Sequence, residues 1–154
     1  MTRTVPISEA FSQKKEYVVN AIISFSVQRV AGMLEMKTRT YKDLIVYQKA
    51  YDLALSIYKA TKKFPDNEKY GLTSQMRRCS LSIPSNIAEG YRRGQKEYIH
   101  FLKIAFGSCA EFETQLSISK DVGYMETSEF QNLYSLQEEV SKLLGTMIRR
   151  MENV

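Results

Sequence analysis

Few side chains in this 154-residue chain have the types and spacing that chemistry requires. Its one histidine, His100, follows Glu97 by three residues, the spacing with which helical bundles hold carboxylate-bridged metals. A two-metal centre of that kind needs a second Glu-x-x-His pair, and the chain has no second histidine. Glu97 and His100 therefore read as surface residues, and neither a metal nor a cofactor is expected. A single imidazole also removes most general-base schemes. There is no Gly-rich phosphate loop, no G-x-S-x-G elbow and no H-E-x-x-H. No residue is assigned a catalytic role, and an enzyme is not expected. The two cysteines, Cys79 and Cys109, fall in apolar periodic positions. They read as reduced core thiols of a cytoplasmic protein rather than as a disulfide or a reactive pair.

Binding chemistry is better represented. Arg77, Arg78, Arg92, Arg93 and Lys96 cluster around one predicted helix and the turn after it, with Tyr91 interleaved. Cations of this kind contact phosphates, and an aromatic ring can stack on a base, so these six residues are the candidate nucleic-acid contacts. The bland alternative is that some of the arginines pair with glutamates at the core edge and the rest keep the surface solvated. Glu111 and Glu113 are the carboxylates expected to pair with Arg77 or Arg78. The formal net charge of +5 and pI near 9.1 favour acidic partners, although many proteins without a polyanionic partner are as basic.

The elements that position these groups follow from periodicity. The length suits one domain, and 44% hydrophobic with 25% charged residues is the balance of an ordinary globular chain. Residues 1–35 differ from the rest. Their apolar stretch, Tyr17 to Val27, is broken by Asn20, Ser24 and Ser26 and is too short and polar to span a bilayer. Val18, Ile22, Phe25 and Arg29 permit a short amphipathic helix there. Strong periodicity begins only after Met36. The expectation is a loose N-terminal extension, 1–35, that a native start near Met36 would exclude, and a helical domain over 36–154. Mass spectrometry of the native protein decides this, because a peptide containing Val5 and Pro6 would retain the extension.

Four helices are predicted. In the first, Tyr41 to Phe64, the residues Val46, Ala50, Leu53, Ile57, Ala60 and Phe64 step by fours and threes, with Thr40 and Asp43 as a capping box. The second begins near Thr73, with Leu72, Met76, Cys79, Ile83 and Ile87 as its stripe. A polar row of Gln75, Arg78, Ser82, Asn86 and Glu89 lies beside that stripe, either solvated or as a partly buried hydrogen-bond network. Pro84 cannot donate to the carbonyl of Ser80 and predicts a kink. Gly90 and Gly94 are expected to supply the following turn. The third helix, about 95–122, carries Tyr98, Leu102, Ala105, Cys109, Phe112, Leu116 and Ser119, with small residues at its middle that let a neighbour approach. In the fourth, about 127–151, the stripe is Phe130, Leu133, Leu136, Val140, Leu143, Met147 and Met151, and Ser128 with Gln131 suggests a capping box. No segment alternates like a strand. Short connections between helices of similar length predict an antiparallel up-down-up-down four-helix bundle, left-handed, with its second helix kinked at the proline.

From Tyr41 to Met151 the chain resembles the bacterial four-helix bundle proteins encoded in intervening sequences of large-subunit (23S) ribosomal RNA genes. The matching residues are Leu44 to Ala50 (LIVYQKA), Phe64-Pro65, Glu68, Gly71-Leu72, Gln75, Arg78 and the string SIPSNIAEG from Ser82 to Gly90. Phe101-Leu102, Ala105 and Glu111 to Thr114 match too, while Gly94 stands where the family has Arg or Ser. Within the string, Ser82, Ile83, Pro84, Asn86, Glu89 and Gly90 form the structural motif. The resemblance implies a homo-oligomer, a barrel-shaped pentamer in some members, and no established catalytic residues. It also implies kinship with accessory proteins of the reverse transcriptases of diversity-generating retroelements, in which a basic pentamer meets RNA and the polymerase. The expected function is therefore a non-enzymatic oligomeric bundle that binds RNA or DNA through a basic surface. The alternative is a protein–protein adaptor such as an accessory subunit of a reverse transcriptase. No membrane partner is expected.

Overall fold

The computed structural model describes residues 39–153, so the readings made of residues 1–35 lie outside the described part. Among the described residues the chain forms four α-helices and no strand. They are α1 Ile45–Ala60, α2 Leu72–Tyr91, α3 Gln95–Asp121 and α4 Thr127–Glu152, with 3-10 turns at Tyr41–Asp43, Thr61–Lys63 and Asp66–Glu68. Each helix packs on the next, and α4 packs back on α1.

The first helix is shorter than its heptad pattern predicts, because a 3-10 turn stands at each end of α1. Asp43 Oδ2 accepts the backbone N–H groups of Arg39 at 3.0 Å and Thr40 at 3.1 Å, so this carboxylate caps the entry turn rather than a long helix. The predicted seam is nonetheless buried from Val46 through Phe64. Side chains such as Leu53 and Ile57, with no exposure at all, contribute about 1.5–3 kcal/mol each by leaving water.

Helix α2 continues through Pro84, which is buried. Ser80, one turn before it, is fully buried and donates its Oγ–H to the carbonyl of Arg77 at 3.0 Å. Ile83 and Ile87 are fully buried with Met76. The polar row divides: Gln75, Arg78 and Glu89 are exposed, while Ser82 and Asn86 are half-buried and bonded. Asn86 Nδ2 donates to the Ser82 carbonyl at 2.7 Å and to Ser82 Oγ at 3.0 Å, and Ser82 Oγ lies 3.0 Å from Ser108 Oγ on α3. The Cys79 thiol donates to the Ser108 carbonyl at 3.1 Å. Small residues in mid-α3 therefore receive α2 at close range.

Gly90 does a different job from the one its sequence position suggests. It lies inside α2, fully enclosed, and a Cβ there would stand 2.6 Å from Phe101 Cβ and 2.9 Å from Tyr98 Cδ2. It is glycine so that α2 and α3 can touch, and the turn proper falls at Arg92 to Gly94. Gly123, with φ +79°, is the residue that needs left-handed backbone. There the Tyr124 N–H bonds to the Ser119 carbonyl at 2.9 Å and the Gly123 N–H to that of Lys120 at 3.0 Å, closing α3.

The register of α4 also needs correction. Its most buried residues are Leu133, Gln137, Val140, Leu144 and Ile148, while Leu136, Leu143, Met147 and Met151 are half-buried on the flank. The chosen stripe preferred apolar residues and so passed over Gln137, the one polar side chain in the seam. Ser128 lies inside the first turn, since Glu126 is the cap residue, and Ser128 with Gln131 makes no box. The exposed acids and bases align the helices at their edges, with Lys49 to Glu139 at 2.8 Å and Lys63 to Glu129 at 3.6 Å.

Candidate nucleic-acid interface

Where α1 begins and α2 ends, tyrosines meet. Tyr47 and Tyr51, four residues apart on α1, stack with ring centres 6.2 Å apart. Tyr41, in the entry turn, stands edge-on to Tyr47 at 4.8 Å and to Tyr91 at 6.5 Å. Tyr91 in turn meets Tyr98 of α3 edge-on at 6.0 Å. Five rings thus run in contact across three helices. Edge-to-face pairs at these separations are favourable beyond the area they bury. Burial pushes the Tyr98 phenol up to about 12, with Tyr91 adding to it, and burial together with Tyr41 and Tyr51 raises Tyr47. Both phenols are neutral donors at neutral pH.

Cations frame this ladder. Arg92 lies over the Tyr41 ring at 5.9 Å and Arg93 over Phe101 at 4.9 Å. Arg93 also pairs with Glu89 at 2.7 Å and Glu97 at 3.7 Å. The last turn of α4 reaches the same end, since Lys103 pairs with Glu152 at 2.6 Å, and it brings Arg149 and Arg150. Of the acids at this end, Glu89 and Glu97 share Arg93, Glu152 meets Lys103 and Asp43 bonds to backbone, while Asp52 beside Tyr51 is exposed with no ion pair among the described residues. Arg92, Lys96, Arg149 and Arg150 have no ion pair among the described residues, which leaves the end with uncompensated positive charge.

Of the six predicted contacts, the structure gathers Tyr91, Arg92, Arg93 and Lys96 here. Arg77 and Arg78 are elsewhere, about 22 Å along α2 at 1.5 Å per residue. Arg77 is half-buried, donating from Nε to Thr61 Oγ1 at 2.9 Å with its guanidinium 5.0 Å over Tyr58. It holds α2 to the end of α1. Arg78 is exposed. Neither reaches Glu111 or Glu113, contrary to the expectation from helix order. Glu111 accepts from Gln115, and Glu113 accepts from Tyr134 and Gln137. Glu113 faces α4, whereas Glu111 stands near Cys79 of α2 and meets neither arginine. In the structural motif, Ser82 and Asn86 form the network to Ser108, Glu89 holds Arg93, and Ile83, Pro84 and Gly90 are interior.

Sequence reasoning missed Tyr41, Tyr47, Tyr51 and Phe101. The four-residue spacing of Tyr47 and Tyr51 was a usable signal. Tyr41 joins only through closure of α1 on α2, which spacing cannot reveal. Glu97 and His100 are both exposed, and no cluster of His, Cys, Asp and Glu able to hold a metal occurs among the described residues. No helix among them is long and apolar enough to cross a membrane. Chemically, the end offers phosphate-reading cations on a ladder of tyrosines whose outermost member, Tyr51, is 49% exposed.

A family model described as 23S rRNA-intervening sequence protein matches residues 42–146. A solved structure of a protein of unknown function, from the S23 ribosomal protein family of Bacteroides thetaiotaomicron VPI-5482, has a similar fold with TM-score 0.62. The two chains are 24% identical, over 68% of this chain and 98% of that one. No curated protein matches the chain.

Proposed function

The chain belongs to the family of 23S rRNA-intervening sequence proteins, and from that premise we propose that it is a non-enzymatic oligomeric bundle that binds single-stranded RNA or DNA at its tyrosine-lined, basic end. The observation that carries this reading is the ladder from Tyr51 to Tyr98 with Arg92 over Tyr41 and with Arg92 and Lys96 in no ion pair among the described residues. Stacking platforms beside backbone-tracking cations are how sequence-tolerant single-strand binders work. The helices run antiparallel, up-down-up-down and left-handed, with a kink at Pro84. The order of ion pairs supports the antiparallel pairing of α1 with α4, since Lys49 in α1 meets Glu139 and Lys63, in the turn after α1, meets the earlier Glu129.

The partner in the oligomer is a second copy of the chain, five in all as the resemblance implies. Exposed apolar residues support it: Leu55, Leu81, Ile104 and Ile118 lie on α1, α2 and α3, and α4 carries no large exposed apolar residue. Anisotropy of labelled oligonucleotides tests the binding. Single-stranded RNA is expected to bind more tightly than the same sequence in duplex, and Tyr51→Ala to weaken it about fivefold or more. Equal binding of single strand and duplex by the wild type, or single-strand binding unchanged in Tyr51→Ala, would contradict stacking. A reverse transcriptase or other protein that stays bound after nuclease treatment would favour the adaptor reading.

A further inference from the structure

The groove between α3 and α4 is lined, apart from Arg149 at its rim, by residues the basic end does not use, and we propose that it is a pocket for a guanine base. Its floor is Gln137, only 1% exposed. Gln137 Nε2 donates to the Cys109 carbonyl at 3.1 Å and to Glu113 Oε2 at 3.3 Å. Both partners are acceptors, so the amide cannot be turned over. Its buried Oε1 is left with no partner among the described residues. A buried acceptor without a donor is destabilising, and a donor brought by a ligand would relieve it.

Glu113 is the recognising group. It is half-buried and has no cation partner among the described residues. Its Oε1 accepts from Tyr134 Oη at 3.2 Å, and the carboxylate holds that phenol's proton on. Two donors leave spare lone pairs on both oxygens. Above stands Phe106, an aromatic ring 43% exposed on α3. Opposite it, Gly145 sits in the interior of α4 with an ordinary negative φ. A Cβ at Gly145 would stand 3.7 Å from Phe106 Cε2 and 3.8 Å from Arg149 Nη1. Alanine would meet ordinary contacts there and suit the helix better, so helix packing does not require glycine. What glycine provides is a groove wall free of any side chain beside Phe106. The groove holds about 410 Å³, within the roughly 300–1,000 Å³ of small-molecule sites.

The complement of this set is a planar ring with two adjacent N–H donors on one edge and an anion attached. Guanine presents N1–H and N2–H together, matching the two oxygens of Glu113, and can stack on Phe106. Adenine and cytosine offer an amino group beside an unprotonated ring nitrogen, which would face the carboxylate lone pairs. Uracil places one N–H between two carbonyls. Arg149, without an ion pair among the described residues, stands at the rim where the phosphate would be. The base could come from a free guanine nucleotide or from a guanosine exposed in single-stranded RNA.

Calorimetric titration of the full-length protein with GMP, AMP, CMP and UMP tests the pocket, with single-stranded RNA carrying one G or A in a uridine background as the second arm. Saturable binding that favours GMP, or G in the RNA, is expected. Binding of both sources points to the base itself, and binding of the RNA alone to a strand. Phe106→Ala and Gly145→Leu should each weaken it about tenfold or more. Glu113→Gln should abolish the preference for guanine while retaining residual stacking, a change that loss of packing would not produce. Phe106 is exposed, so Phe106→Ala carries the test should Gly145→Leu fail to fold. Absence of binding in both arms, or equal binding of all four bases, would overturn the proposal.

Discussion

Gly90 and Ile83 show how single atoms set this interior. A methyl group at Gly90 would be forced onto Cβ of Phe101, an atom fixed to the backbone and unable to swing aside. Gly90→Ala is expected to destabilise by about 1–3 kcal/mol, read as a lower denaturant midpoint with unchanged slope. Ile83 has no exposed surface, so Ile83→Ala should lose about 2–5 kcal/mol in the same assay. The two thiols add a pH signature. Burial is the first cause that raises Cys79 and Cys109 from 9.0 to about 12, with Glu111 acting further on Cys79 and Cys79 on Cys109. Only the thiolate reacts, so both should resist thiol reagents in the native protein at pH 8 and react once it is unfolded. In the unfolded chain the thiols ionise from about 9, while the native state keeps its protons. Their stabilising contribution is complete below that value and falls away as pH rises from about 9 towards about 12. Urea midpoints measured across that range should decline.

Among the elements, α1 to α3 were legible and α4 was less so. The fours-and-threes spacing found every buried residue from Leu102 to Ser119 and, from Val46 to Phe64, all but Ala54 and Thr61, because those seams are continuous. It misjudged α4 because Leu136, Leu143 and Met147 lie one place from Gln137, Leu144 and Ile148, and hydrophobicity cannot choose between adjacent faces that are both apolar. The deciding fact was tertiary: Gln137 reaches the Cys109 carbonyl across the interface. Removing the whole amide deletes both its bonds and its unpartnered oxygen. Gln137→Leu should therefore change stability by less than about 1 kcal/mol in thermal melts, whereas a loss of several would mean the amide anchors α4. The site was legible in part for a similar reason. Tyr91 to Lys96 are contiguous and stayed together, but Arg77 and Arg78 lie on another stretch of α2, and Tyr41 and Tyr47 reach the site through folding.

At the scale of the whole molecule, charge and apolar surface are distributed unequally. Arginines and lysines without ion pairs stand where α1 begins and α4 ends, and exposed Leu55, Leu81, Ile104 and Ile118 lie on α1, α2 and α3. If copies associate through those apolar residues, Leu81→Asp should lower the mass found by light scattering while the helical signal persists. The basic end should then act as a polyelectrolyte site. The most direct measurement is the salt dependence of single-stranded RNA binding by the wild type and by the Arg92→Ala, Lys96→Ala double variant. Wild-type affinity should fall about tenfold or more between about 50 and about 200 mM salt. The double variant should bind more weakly, with a log–log slope shallower by about 1.4, about 0.7 for each phosphate contact removed. No wild-type binding at low salt, or identical affinity and slope in the variant, would contradict the account.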